Sequence, residues 1–161
     1  MLIKLKDSFD SLQKSENFGK WKELHTESYL TSCFLVDESG LWQFDYFNPV
    51  NSKITSFQRE KITVQDQDVF QAEQTKLKEL NLENVDLGYE QVLNIIEEIL
   101  KQKYSNEVFE KKIVILQTID VEIWNITYMT KSFNVINFKI DAKTGVLLKE
   151  TFENIMGFKK K

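Results

Sequence analysis

Cysteine, proline, histidine and arginine each occur once in 161 residues, and glycine only five times. The single thiol, Cys33, rules out an internal disulfide, so nothing in the fold requires an oxidising compartment. One proline and five glycines exclude collagenous, linker-rich and low-complexity architectures. A zinc site takes three or four nitrogen or sulfur ligands, which His25 and Cys33 cannot supply. No P-loop, dinucleotide fingerprint or calcium-binding loop is present, and the expectation is no metal and no cofactor. Arg59 stands alone beside twenty lysines, and the net charge is −4. Phosphate and base-edge recognition favour arginine forks on a basic face, so nucleic acid is not an expected partner. No run reaches the roughly 18 apolar residues of a membrane span. The opening stretch MLIKLKDSFDSLQK breaks its apolar residues with Lys4, Lys6 and Asp7, which leaves no secretory h-region; the expected setting is the cytoplasm.

Against these shortages stand twelve Phe, five Tyr and three Trp in a chain that is 42% hydrophobic, too apolar for a disordered polymer. The length fits one compact domain, or two very small ones sharing a core. Leu2, Leu5, Phe9 and Leu12 recur at helical spacing, and Ser15 followed by Phe18, Trp21 and Leu24 predicts a second short helix. From Tyr29 the pattern changes to YLTSCFLVD, LWQFDYF and KITSFQREKITV, read as three antiparallel strands joined by tight turns. Residues 65–86 are polar with scattered apolar positions and read as a connector, helical or partly extended. In LGYEQVLNIIEEILKQKY, Val92, Ile95, Ile96, Ile99 and Leu100 form one apolar stripe, which predicts a helix packed on a sheet. Four strand candidates follow it. The fold class is therefore α+β, with antiparallel sheets packed by helices in two degenerate α-β-β-β repeats. Their bounds are 1–64 and 87–161, with the connector at 65–86.

Two turns carry the repeat argument. In DAKTG, Asp141 accepts hydrogen bonds from the turn's own amides, and Gly145 supplies a positive φ. NPVNS offers the same chemistry with Asn48 in the place of Asp141, Pro49 pre-set for the turn, and Asn51 or Ser52 where Gly145 sits. The segment VEIWNITYMTKSFNVINFKIDAKTGVLLKE, preceded by YEQVLNIIEEILKQ, resembles the PepSY domain. The likeness covers about residues 87–152 and rests on Trp124, Asp141, Thr144 and Gly145. It implies a cystatin-like/PepSY-like arrangement and a binding or inhibitory module, of a kind attached to peptidases and found in extracytoplasmic proteins. It offers no catalytic residues to carry over. The first half looks like a diverged second copy.

Little in the sequence suggests catalysis. A His25–Cys33 dyad is arithmetically possible, but Cys33 lies in an apolar strand where a free cysteine is ordinarily a small core residue. Close carboxylates such as Asp66 and Asp68 or Glu97 and Glu98 lack a metal-spaced context and read as solvated faces. The unusual resource is aromatic. In LWQFDYF, alternation puts Trp42, Phe44 and Tyr46 on one strand face and Gln43, Asp45 and Phe47 on the other. The aromatic trio is either core between the halves or a partner surface facing away from the helices. The functional expectation is a non-enzymatic module that binds an unidentified protein or peptide, with no membrane contact. The alternatives are a structural subunit of an oligomer and an enzyme with a carboxylate-based site that sequence does not reveal.

Overall fold

The computed structural model describes residues 4–36, 40–58, 61–66 and 77–156. Helices α1 (Leu5–Lys14) and α2 (Glu16–Leu24) open the chain. Their boundary is set by Ser15, whose hydroxyl caps α2 by accepting from Phe18 N at 3.2 Å. Strands β1 (Tyr29–Val36), β2 (Leu41–Asn48), β3 (Lys53–Gln58) and β4 (Lys61–Asp66) follow. A short 3-10 turn, Leu82–Asn84, precedes α3 (Tyr89–Lys103). The chain then forms β5 (Phe109–Thr118), β6 (Glu122–Thr130), β7 (Asn134–Asp141) and β8 (Leu147–Asn154). Helix α3 starts where Gly88 N–H donates to the Gln91 side chain at 2.8 Å, and it carries Glu90 in its first turn and Lys101 and Lys103 in its last.

All eight strands form one antiparallel sheet in the order β4-β3-β2-β1-β5-β6-β7-β8. Each half is thus a meander running outward from the middle. The halves join where β1 pairs with β5, with Cys33 opposite Leu116 and Leu35 opposite Val114. Counted from that seam, β2 and β6 are counterparts. They place Trp42, Phe44 and Tyr46, and Trp124, Ile126 and Tyr128, on the helix-covered face. Phe57 of β3 lies opposite Phe44, as Phe138 of β7 lies opposite Ile126. Leu5 and Leu12 of α1, Phe18 of α2, and Val92, Ile96 and Leu100 of α3 complete that single core. Aromatic packing ties it together, with Phe18 and Phe57 rings 5.1 Å apart and Trp42 and Trp124 rings 6.0 Å apart.

The α+β class is as expected, whereas three details differ. The segment 53–64 is not one strand but the hairpin β3–β4, so the first half contributes four strands rather than three, as many as the second. The sequence there, QREK, has no glycine, proline, asparagine or aspartate to mark the turn. The turns at 48–52 and 141–145 share their local chemistry but not their place, since one joins β2 to β3 and the other β7 to β8. The counterpart of the first is the β6–β7 turn, and both close on a non-glycine residue at positive φ, Ser52 at 58° and Phe133 at 63°. The connector expected at 65–86 begins later, because Gln65 and Asp66 belong to β4. Residues 67–76 lie outside the described part. From Leu77 the chain is extended, pinned where Leu80 N–H donates to Leu30 O at 2.8 Å and where Asp86 and Leu87 N–H both donate to Ala142 O.

Candidate functional site

Trp42, Phe44 and Tyr46 are 2%, 2% and 4% exposed, so the trio offered as a partner surface is core. The reason lies in strand pairing: Trp42 faces Leu35 and Phe44 faces Cys33, both on the helix side. Equating the two turns gives a register that points these rings away from the helices, and the pairing shows that register to be wrong. Burial raises the hydroxyl pKa of Tyr46 and holds the Cys33 thiol well above its ordinary value, with Asp45 adding to the second shift. Cys33 is fully buried, while His25 stacks on Trp21 and bonds its carbonyl through Nδ1 at 2.7 Å. No Cys-His dyad forms.

The turn residues each close their own hairpin. Asn48 Oδ1 accepts from Val50 N at 2.9 Å, beside Pro49, and Ser52 N donates to Asn48 O at 2.8 Å. Asp141 Oδ1 accepts from Lys143 N at 2.8 Å and Thr144 N at 3.1 Å, and Gly145 N donates to Asp141 O at 2.9 Å. Thr144 Oγ1 accepts from Val146 N at 3.2 Å. Gly145 has φ 80°, and a Cβ there would meet Leu87 Cδ2 at 3.0 Å. These are structural closures, with no side chain directed at a ligand.

Two clefts open beside the helices. One, of about 280 Å³, lies at the N-terminal ends of α1 and α3 over Trp42, Tyr89 and Trp124, with Lys4 and Glu90 at its rim. Trp124 Nε1 donates to Leu87 O at 3.0 Å, which fixes its indole as the floor. The other, of about 590 Å³, lies between α1 and the segment 79–83 and is lined by Phe9, Tyr29 and Tyr46 with Lys22 and Glu79. Among the described residues no group of three or more His, Cys, Asp and Glu side chains is placed to hold a metal.

The sheet's other face has a different character. Every described helix packs through the core cluster, so among the described residues no helix covers the face made by the alternate side chains. Asp45 is its polar centre in the first half, accepting from Ser56 Oγ at 2.6 Å, Gln43 Nε2 at 3.0 Å and Ser32 Oγ at 3.3 Å. Across the seam Ser32 pairs with Gln117, whose Oε1 accepts from Asn125 Nδ2 at 2.9 Å. Asn137 Nδ2 then donates to Asn125 Oδ1 at 2.7 Å and Thr127 Oγ1 at 2.8 Å, while Lys139 Nζ donates to Asn137 Oδ1 at 2.8 Å. Half-buried Phe34, Ile115, Met129 and Val135 flank this band. Sequence reasoning places Gln43 and Asp45 only as the back of the aromatic face. The readable signal is the matching alternation of Asn125 with Thr127 and of Asn137 with Lys139.

No protein-family model matches the chain, and no curated protein sequence matches it. A crystal structure of a protein from Clostridium difficile 630, described as a "putative lipoprotein", is similar in fold, with a TM-score of 0.54. The two are 17% identical, and the match covers 86% of this chain and 91% of that one. At that identity the likeness shows a common fold. Among the described residues no helix is long and apolar enough to cross a membrane.

Proposed function

We propose that this protein is a non-enzymatic binding module that holds a protein or peptide partner on the uncovered face of its sheet. The observation that carries this reading is the band from Ser56 through Asp45, Ser32, Gln117 and Asn125 to Lys139. Its side chains are hydrogen-bonded in two clusters, one on Asp45 and one on Asn125 and Asn137, which meet where Ser32 pairs with Gln117. Side chains held this way lose little further freedom on association, and preorganisation converts contact into affinity. Amides and hydroxyls beside half-buried apolar residues match the mixed surface of a protein rather than the deep, mostly apolar hollow that suits a small molecule.

A tandem origin of the two halves is part of the proposal, with each half a PepSY-like unit. The support is the outward-mirrored strand order, the shared Trp-x-apolar-x-Tyr pattern of β2 and β6, and the paired turns closing at Ser52 and Phe133. For the setting we propose the cytoplasm, where a lone free thiol is at home. The lipoprotein description belongs to the similar structure.

A pull-down from the native host at low salt tests the binding face. Wild type and a variant on the exposed side of α3, Glu98→Arg, are expected to retain the same partner, and Met129→Arg on the uncovered face is expected to lose it. Equal capture by Met129→Arg would overturn the assignment of the face.

A further inference from the structure

Strand β8 ends the sheet, and no described strand pairs with its outer edge. Two hydrogen bonds fix which of its backbone groups face outward. Ile155 N donates to Phe133 O, and Asp141 N donates to Val146 O, each at 2.9 Å. The odd-numbered residues of β7 therefore bond to β8, and the bonded pairs are Val135 with Glu153, Asn137 with Thr151, and Lys139 with Lys149. The N–H and C=O groups of Glu150 and Phe152 point away from the sheet as a result. Along the same edge Leu148 is 51%, Phe152 47%, Ile155 38% and Met156 39% exposed. Sheet edges are ordinarily shielded by charge, proline or a covering segment, and this one mixes the charges of Lys149, Glu150 and Glu153 with exposed apolar side chains.

We propose that β8 pairs antiparallel with β8 of a second copy of this chain, about a two-fold axis at Thr151. The argument is charge complementarity in a single register. With Thr151 facing itself, Lys149 stands opposite the partner's Glu153 and Glu153 opposite the partner's Lys149, all on the uncovered side of the sheet. Glu150 and Phe152 then form the hydrogen-bonded pairs, which uses the outward backbone groups. On the helix side, Phe152 is stacked on Tyr104 at 5.7 Å and Tyr104 donates to Glu150 at 2.5 Å, so both side chains are already positioned. Moving the axis to Glu150 places two carboxylates face to face. Moving it to Phe152 sets Lys149 against Ile155 and leaves Glu153 beside Thr151. Cross-strand opposite charges stabilise a pair, and like charges destabilise it. Lys149 thus guards the edge against other strands yet fits its own copy. A two-fold axis normal to the sheet puts the helices of both copies on one side and leaves both uncovered faces free for a further partner.

Sedimentation equilibrium on the full chain, with helix and sheet content followed by circular dichroism, tests the pairing. Wild type is expected to approach twice its 19.0 kDa chain mass as concentration rises. Lys149→Glu alone and Glu153→Lys alone are each expected to weaken association at least about tenfold, since each sets like charges opposite one another at two sites. The double variant Lys149→Glu/Glu153→Lys restores complementarity and is expected to recover the wild-type mass. A wild type that stays at the single-chain mass overturns the proposal. So does a dimer indifferent to the single reversals, or a folded double variant that stays monomeric.

Discussion

Gly145 and Ser52 close turns of the same local geometry with different residues, and the difference predicts opposite responses to substitution. Gly145 has φ 80°, and a Cβ added to it would sit 3.0 Å from Leu87 Cδ2, so Gly145→Val suffers both backbone strain and a clash with Leu87. The expected loss is about 1–3 kcal/mol, read from chemical denaturation. Ser52 already bears a positive φ of 58°, so Ser52→Gly is expected to raise or leave unchanged the melting temperature. A clear fall for Ser52→Gly would mean that its conformation carries no strain. Cys33 makes a third case at this scale. Its thiol is fully buried and its pKa lies well above the ordinary value, so the folded protein is expected to resist thiol reagents until it unfolds. Cys33→Ser buries a hydroxyl in an apolar setting and is expected to cost about 1–3 kcal/mol.

Tyrosines give the fold a pH dependence whose sign can be worked out. Burial, and then the hydrogen bond to Glu150, push the Tyr104 hydroxyl up to about 12; burial also raises Tyr46 and Tyr128. The unfolded chain releases these protons near pH 10, at about the reference value for tyrosine, while the native state keeps them. Their contribution is therefore fully present below about pH 10 and is lost as pH rises through the native values. Thermal melts are expected to move to lower temperature from about pH 10 upward, and a flat profile from about pH 10 to 12 would contradict the burial of these hydroxyls.

At the scale of elements, the seam between β1 and β5 makes the halves interdependent. Trp42 and Trp124 come from different halves, yet their rings lie 6.0 Å apart, and both lie within 6.0 Å of Tyr89. Trp42→Phe and Trp124→Phe are each expected to destabilise, and their combined effect on denaturation midpoints is expected to differ from the sum because they share one cavity wall. Strict additivity would separate the halves energetically. The helices and most strands were legible because their apolar periods are long and uninterrupted: of the stripe Val92, Ile95, Ile96, Ile99 and Leu100, three residues are buried and Ile95 and Ile99 pack against the core from its margin. The β3–β4 hairpin was not legible, since QREK carries no turn residue and the break shows only in the pairing of β4 back onto β3. The side of the sheet on which Trp42 packs was also hidden. Alternation identifies two faces, and only the pairing with Cys33 and Leu35 says which one the helices take. For the same reason the hydrogen-bonded band could be seen as alternating polar letters but not as a connected surface.

At the scale of the whole molecule, the described helices pack on one face of an eight-stranded sheet, and among the described residues no helix covers the other. A partly covered sheet with a preorganised polar band can stay soluble alone and still present a large, shape-stable platform. Edge pairing through β8 would extend that platform without covering it. The most direct test of the platform is site-specific photocrosslinking in the native host from a benzoyl-phenylalanine placed at Thr127. Control sites are Glu98 on α3 and Lys101 one turn further on. A discrete protein adduct from Thr127, absent from both controls, is the predicted result; adducts from the helix sites with none from Thr127 would contradict the account.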